Sequence, residues 1–199
     1  HQLGVLLDAV RARPGGDRAL VIITADHGEA LGEEGRLGHG FWLNEELTRI
    51  PLLVRYPGDR DGGSRSEEPM QLTDVLPLLA RELDLVVPAQ VEGVEQGKRE
   101  TAFLELRREA TTALRFGAAY DRDLQSVIRW PHKLTRSDVG AETLRRLSPE
   151  SLVEQTDAET GAAAELRRLL DEHAASGPTA PTVAPHADPE TVEALLSHA

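Results

Sequence analysis

Apolar residues at the start of the chain have the spacing of a helix and then of a buried strand. Leucine and valine recur three or four positions apart between residues 3 and 10, which predicts an amphipathic helix that ends at the Pro-Gly-Gly turn of residues 14–16. Residues 19–25 form an unbroken run rich in Val and Ile. Such a run is typical of a strand buried on both faces of a parallel sheet, so the pattern predicts an α/β domain.

Polar and apolar stretches then alternate as far as residue 83. Residues 28–40 contain five glycines and show no clean period, which predicts a loop at the carboxyl end of the first strand. In open α/β sheets this edge holds the functional groups. Residues 51–56 predict a second short strand, and residues 59–68 predict a polar surface loop. Thr73 is expected to cap a helix that runs to about Leu83.

After Pro88 the pattern changes to short apolar segments between charged or proline-containing breaks, which predicts a small antiparallel sheet. Its strands are expected at residues 101–106, 114–120, 124–130 and 133–136. A helix is predicted at residues 165–173.

These elements predict four parts of the chain. An α/β segment is expected at residues 1–98 and the small sheet with its helix at residues 99–173. Residues 174–187, rich in Pro, Ala, Ser and Thr, predict a flexible linker, and residues 188–199 a terminal helix that begins at Asp-Pro-Glu.

Composition excludes several classes of function. The net charge of −12 argues against a nucleic-acid partner, whose binding depends on clustered Lys and Arg. No apolar run approaches the roughly 20 residues that cross a bilayer, so no membrane contact is expected and the segment is predicted to be soluble, with its compartment unknown. Cysteine is absent, which excludes disulfides, thiolate metal sites and cysteine nucleophiles. The chain begins at His1 directly before an amphipathic segment, so we expect its natural N-terminus to lie further upstream.

The most informative chemistry follows the first predicted strand. Asp26 and His27 are adjacent at its carboxyl end, and Gly28 permits the bend that would turn both side chains towards a cleft. Carboxylate oxygen suits calcium, magnesium or manganese, and imidazole also suits zinc. Taken alone, the pair is more typical of an aspartate that caps a turn beside a partly buried histidine. Two ligands also do not complete a metal site.

A longer stretch around this pair carries a family resemblance. "VIITADHGEALGEEGRLGHGFWLNEELTRIPLLVRYPG" (residues 21–58) resembles the sulfatase segment that runs from Ser/Thr-Asp-His/Asn-Gly-Glu through Arg-Val-Pro-Leu to Pro-Gly. "MQLTDVLPLLARELDL", "SVIRWPHKLTR" and "DPETVEALLSHA" are similar to later segments of the same family. The resemblance implies the alkaline-phosphatase-like fold: part of a central, mostly parallel sheet flanked by helices, then a small antiparallel subdomain with C-terminal helices. Residues 1–98 would be the C-terminal part of the catalytic domain.

The resemblance also implies roles for particular residues. Asp26 and His27 correspond to ligands of the catalytic divalent cation, most often Ca²⁺, with Mg²⁺ or Mn²⁺ as alternatives. His39 falls where relatives place a lysine or histidine that contacts the anionic group of the substrate, which makes it both the catalytic and the substrate-binding candidate. Because histidine titrates near neutrality, we expect His39 to supply a full charge only in mildly acidic solution or beside an anion. Above that range it would remain a hydrogen-bond donor.

Other polar residues have plainer interpretations. Arg49 matches the arginine of Arg-Val-Pro, where it would either anchor the loop through Glu45 or Glu46 or lie closer to the substrate. His132 and Lys133 are expected on a solvated face of the small sheet.

The sulfatase nucleophile is a formylglycine made within Cys/Ser-x-Pro-x-Arg, and this chain contains no such pattern. The formylglycine and two further metal-binding aspartates are expected in an N-terminal half outside this chain. Two positions depart from the family pattern: Glu34 stands where relatives often have histidine, and Trp42-Leu43-Asn44 replaces their usual aromatic residue before Glu-Glu. These departures leave the specificity for the leaving group open.

The resemblance therefore implies a C-terminal portion of a metal-dependent sulfatase, inactive by itself, which when complete cleaves small-molecule or glycan sulfate esters to alcohol and sulfate. One alternative is a phosphodiesterase, phosphonate monoester hydrolase or phosphoryl transferase of the same superfamily. The other alternative is a non-catalytic binding module.

Overall fold

The computed structural model describes residues 1–108, 112–156 and 160–176. Helices and strands follow the chain in this order: α1 (Gln2–Arg11), β1 (Val21–Thr24), β2 (Ala30–Leu31), β3 (Leu37–Gly38), α2 (Glu45–Thr48), β4 (Leu52–Arg55), α3 (Val75–Glu82), β5 (Ala102–Leu106), α4 (Thr112–Phe116), β6 (Leu124–Arg129), β7 (His132–Ser137), β8 (Glu142–Ser148), β9 (Ser151–Thr156) and α5 (Thr160–Ser176).

The first two predicted strands pair with each other. β1 and β4 are antiparallel, with Val21 opposite Arg55 and Thr24 opposite Leu52. The sequence predicted parallel neighbours buried on both faces, but Val21 to Ile23 are only half-buried and Thr24 is exposed. A continuous apolar run indicates that both faces of a strand can be covered and contains no information on its direction, which explains the difference.

The glycine-rich segment after β1 contains more structure than the predicted loop. β2 and β3 form a short antiparallel ladder in which Ala30 lies opposite Gly38 and Leu31 opposite Leu37. Gly38 has a φ of +84°, which favours glycine at this position. The ladder therefore brings residue 39 back towards the end of β1.

The helix α3 begins at a polar cluster and not at the predicted cap, Thr73. Gln71 and Asp74 bond each other reciprocally across a 3-10 turn of residues 72–74. Asp74 is fully buried, and the guanidinium of Arg99 donates to its two carboxylate oxygens at 2.5 and 2.6 Å. The backbone N–H groups of Gln71 and Val94 donate to the same carboxylate at 2.8 Å. These hydrogen bonds offset the desolvation cost of burying the carboxylate.

The C-terminal part is a five-stranded antiparallel sheet with strand order β5-β6-β7-β8-β9. Its core lies between the sheet and α5, where Val127 and Leu134 pack with Leu166 and Leu170. The predicted antiparallel sheet is therefore confirmed for β5, β6 and β7. β8 and β9 were not predicted.

Two further predictions in this part differ from the structure. Residues 114–120, expected as a strand, lie in α4 and a following 3-10 turn of residues 118–120. The helix predicted at residues 165–173 is longer and includes Ala174 to Ser176, which the sequence placed in the linker. The rest of that linker and the helix predicted at residues 188–199 lie outside the described residues. Among the residues described, no helix has the length and apolar character needed to cross a bilayer.

Candidate active site

The backbone turns away from β1 directly after Thr24 and carries Asp26 and His27 at this edge. Gly28 holds the turn in place, because its N–H donates to the carbonyl of Leu47 in α2 at 2.8 Å. A Cβ at position 28 would lie 2.1 Å from the carbonyl oxygen of Glu46. Only glycine fits this close approach, so the predicted importance of Gly28 has a packing explanation as well as a conformational one.

Two histidines meet beside this turn. The ring centroids of His27 and His39 are 4.4 Å apart with an interplanar angle of 34°. His39 follows β3, and the β2–β3 ladder brings it to His27 across twelve positions of sequence. The structure thus brings together all three residues that the sequence selected as site candidates.

Glu29 orients His39, and the sequence analysis did not select it. The Nδ1 atom of His39 lies 3.0 and 3.2 Å from the two carboxylate oxygens of Glu29. An acidic residue directly after Asp-His-Gly was the only sequence signal available. Because Nδ1 bonds to Glu29, Nε2 is the ring nitrogen of His39 that can contact a substrate.

The carboxylate of Asp26 is exposed, and its surroundings favour the charged form. The backbone N–H of His27 donates to Oδ1 of Asp26 at 2.9 Å. This bond, a second one from the backbone N–H of Asp26 and the nearby imidazole of His27 lower the pKa of Asp26. The side chain of Asp26 is 87% exposed and that of His27 is 46% exposed, so both can be reached from solvent.

The donor set suits a hard divalent cation but is incomplete. Asp26 offers carboxylate oxygen and His27 offers imidazole nitrogen, with Nε2 of His27 3.8 Å from Oδ2 of Asp26. Within residues 1–108, 112–156 and 160–176, no three His, Asp or Glu side chains are grouped so that they could hold a metal ion. Asp26 and His27 are thus two neighbouring candidate donors, and the described residues place no third donor with them.

A buried lysine connects the site to the small sheet. Lys133 on β7 is fully buried, and its Nζ donates to the carbonyl of Leu43 and, at 3.2 Å, to Oε1 of Glu45. Neighbouring residues of a strand face opposite sides of the sheet, and Leu134 packs towards α5. Lys133 therefore faces the other side, where α2 lies. The predicted solvated position of Lys133 is wrong, since a partner 88 positions away in sequence cannot be inferred from local pattern.

Arg49 makes a second connection between the same two parts. Its guanidinium donates to the carbonyl oxygens of Ser148 at 2.8 Å and Pro149 at 2.7 Å, in the turn between β8 and β9. Glu46 accepts instead from Arg36 at 3.0 Å. Of its two predicted roles, Arg49 therefore has that of an anchor. Its partners lie in the small sheet and are not the predicted Glu45 or Glu46.

Several known proteins are similar to this chain. A family model described as Sulfatase matches residues 1–84. The chain is 30% identical over 93 residues to an ulvan-active sulfatase of Formosa agariphila, a match that covers 46% of this chain and 18% of that protein. It is 32% identical over 77 residues to an N-acetylglucosamine-6-O-sulfatase of Bacteroides thetaiotaomicron, covering 39% of this chain and 14% of that protein.

A solved structure extends the similarity past residue 84. The phosphonate monoester hydrolase of Agrobacterium radiobacter superposes with a TM-score of 0.63 and 25% identity, over 87% of this chain and 38% of that one. The chain thus spans less than a fifth of the two curated relatives and about two fifths of the solved structure.

The fold and the position of the site define an α/β protein of the alkaline-phosphatase type, which confirms the expected fold class. Within that class, residues 1–84 of the chain are similar to the sulfatase family, as the match to the family model shows.

Proposed function

We propose that Asp26, His27 and His39 form one side of the active site of a metal-dependent sulfate ester hydrolase. The observation that carries this proposal is the meeting of the His27 and His39 rings, 4.4 Å apart, next to an exposed carboxylate at the end of β1. A cation ligand pair and a separate hydrogen-bond donor beside it are the groups that transfer of a sulfuryl group requires.

Asp26 and His27 would hold the divalent cation, for which Ca²⁺ is our first choice and Mg²⁺ or Mn²⁺ the alternatives. When bound, the cation would neutralise negative charge on the sulfate oxygens and position the nucleophile. Its remaining ligands would come from outside the described residues. The chain contains no Cys/Ser-x-Pro-x-Arg pattern, so the nucleophile, proposed to be a formylglycine, would also come from outside it.

His39 would contact the transferring group. With Nδ1 held by Glu29, its Nε2 can donate a hydrogen bond to a sulfate oxygen on which charge increases in the transition state. Glu29 acts through His39 by fixing the ring and is therefore a positioning residue.

The substrate class that we propose is a sulfate ester of a sugar, in a glycan or a small molecule. It is supported by the similarity to the protein named N-acetylglucosamine-6-O-sulfatase. Phosphonate ester hydrolysis is the second candidate, because the phosphonate monoester hydrolase is 25% identical and shares the fold over 87% of this chain.

Hydrolysis by the complete translated polypeptide that carries this chain tests the proposal. We would measure sulfate release from glucose 6-sulfate, with and without a calcium chelator, and compare it with hydrolysis of phenyl phosphonate esters. Asp26→Asn and His39→Ala are each expected to lower kcat/KM for the sulfate ester by about 100-fold or more. Matched controls are Asp8→Asn and His1→Ala, both exposed on or before α1.

The outcomes separate the candidates. Chelator-sensitive sulfate release that both site variants abolish would support the proposal. Faster cleavage of the phosphonate ester would favour the second candidate. Hydrolysis that neither the chelator nor the variants affect would contradict both, and no hydrolysis of either ester would favour a binding module.

A further inference from the structure

Four of the chain's seven aromatic side chains lie together in the structure. The Phe41 ring centroid is 4.8 Å from that of Phe116, 4.9 Å from that of Tyr120 and 5.4 Å from that of Trp42. Trp42 and Tyr120 are 5.9 Å apart. We call these four residues the aromatic cluster.

The aromatic cluster lies close to His39. Phe41 is two positions after His39, so their Cα atoms are at most about 7 Å apart. Gly40, with a φ of +89°, turns the chain between them. The other two rings come from α4 and the 3-10 turn after it, more than seventy positions later in the sequence. Two separate segments thus build one aromatic surface beside the proposed contact with sulfate.

The exposure of these rings argues against a purely structural role. Phe116 is 51% exposed, and Phe41, Trp42 and Tyr120 are each only partly buried. Contacts between Phe41 and its neighbours are edge-to-face or tilted, which fixes the rings and still leaves aromatic surface open to solvent. Fixed rings bind a ligand with little loss of side-chain entropy.

A positive charge lies at the margin of the aromatic cluster. The guanidinium carbon of Arg115 is 5.7 Å from the ring centroid of Phe116, and Arg115 is exposed. It forms no ion pair with any residue that the structure describes. In a chain of net charge −12, an arginine in this position favours an anionic ligand.

We propose that the aromatic cluster binds the leaving alcohol of the ester, and that this alcohol is a sugar ring with a second anionic group that Arg115 contacts. The apolar C–H face of a sugar packs on aromatic rings, while its substituents point outwards to polar partners. This inference rests on the proposed function, since it places the ester sulfate at His39. It adds the part of the substrate that determines specificity.

Side-chain NMR of the chain with three probes tests it: methyl sulfate, glucose 6-sulfate and glucose 3,6-disulfate. The chain has two indole N–H signals, from Trp42 and Trp130, and Trp130→Phe assigns them. Trp130 is as exposed as Phe116, at 51%, and lies between β6 and β7, so it also serves as the matched control. All three probes should shift the imidazole signals of His27 and His39. Only the two sugar esters should shift the indole signal of Trp42.

Two variants give the expected magnitudes. Phe116→Ala should lower the affinity for both sugar esters about three- to tenfold, because one ring contact is lost, and should leave the affinity for methyl sulfate unchanged. Arg115→Gln should lower only the affinity for the disulfate, by a similar factor. Trp130→Phe should change neither affinity.

Imidazole shifts without a Trp42 shift would overturn the assignment of the aromatic cluster and leave the proposed function intact. If Arg115→Gln binds the disulfate as tightly as the parent does, the proposal that Arg115 contacts a second anionic group is wrong. If no probe shifts the imidazole signals, the assignment of the aromatic cluster fails, whereas the proposed function is decided by hydrolysis of the sulfate ester by the complete polypeptide.

Discussion

Gly28 fixes the position of the two proposed metal ligands that precede it. Its N–H bonds to Leu47, and the carbonyl of Glu46 occupies the space where a Cβ would be. The backbone of residues 26–28 is therefore held against α2 by contact with main-chain atoms, which cannot move aside as a flexible side chain can. The position of Asp26 and His27 depends on this contact.

Gly28→Ala is expected to lower the free energy of unfolding by about 1–3 kcal/mol, because the added methyl group forces β1 and α2 apart. Gly4→Ala is the matched control, because no atom lies within 4 Å of a Cβ there. Alanine in place of this helical glycine should raise the free energy of unfolding by up to about 0.5–1 kcal/mol. Urea denaturation measures both. Equal effects of the two substitutions would contradict this account of Gly28.

Asp74 gives the stability of the chain a defined pH dependence. Burial by itself raises the pKa of this carboxyl, but the hydrogen bonds from Arg99 and from the backbone N–H groups of Gln71 and Val94 outweigh burial, and the net effect lowers the pKa. A carboxyl with a lowered pKa in the folded state stabilises the fold above its unfolded pKa of about 3.9. That contribution is lost as the pH falls below this value through the folded pKa.

Asp74→Asn should therefore be less stable at neutral pH, and its free energy of unfolding should fall less steeply than that of the parent below about pH 4. Chemical denaturation at several pH values between neutrality and the acid range measures the slope. Asp8→Asn, on the exposed face of α1, is the control substitution. An acid slope that Asp74→Asn leaves unchanged would show that other groups cause it.

The short helix α2 connects the two parts of the chain. Gly28 contacts its backbone on the side of β1, Lys133 bonds to Glu45 from β7, and Arg49 bonds to the turn after β8. A helix of four residues has little stability of its own, so these tertiary contacts hold it in place. The small sheet therefore supports α2, against which the candidate site is held.

Lys133→Met is expected to lower the free energy of unfolding by about 3–5 kcal/mol, because it leaves the buried carboxylate of Glu45 without this cation. The double variant Lys133→Met/Glu45→Gln should be less destabilised than the sum of the two single variants. Arg168→Met, which removes one exposed ion pair within α5, should change stability by less than about 0.5 kcal/mol. Thermal unfolding measures the series, and additivity of the double variant would argue against direct coupling.

Elements with strong local patterns were predictable, and elements defined by distant partners were not. α1, β1, β4 and β6 lie where apolar spacing placed them, within a few residues. Residues 114–120 were taken for a strand because alternation over a short segment does not distinguish a strand from the single helical turn of α4. β8 is rich in charged residues, so its sequence gave no apolar signal.

In the candidate site, too, local sequence context was informative and distant partners were not predictable. Asp26, His27 and His39 were selected from their sequence context, and the structure brings them together. Glu29, Lys133 and the aromatic cluster were not selected, because their importance depends on pairings across ten to ninety positions that only the fold creates.

Taken together, the fold presents an incomplete but ordered site at the exposed end of β1. The two proposed metal ligands are held through Gly28, and the proposed hydrogen-bond donor His39 is held through Glu29. Contacts from the small sheet hold α2. The matched part of the chain is 18% of the length of the ulvan-active sulfatase, and the described residues provide two proposed ligands.

A crystal structure of the complete translated polypeptide that carries this chain, grown with calcium and sulfate, would test the central claim most directly. The account predicts a calcium ion about 2.3–2.6 Å from a carboxylate oxygen of Asp26, with His27 as a neighbouring ligand. It also predicts a sulfate oxygen within about 3 Å of Nε2 of His39. Calcium and sulfate bound elsewhere, with Asp26 and His39 both in contact only with water, would contradict it.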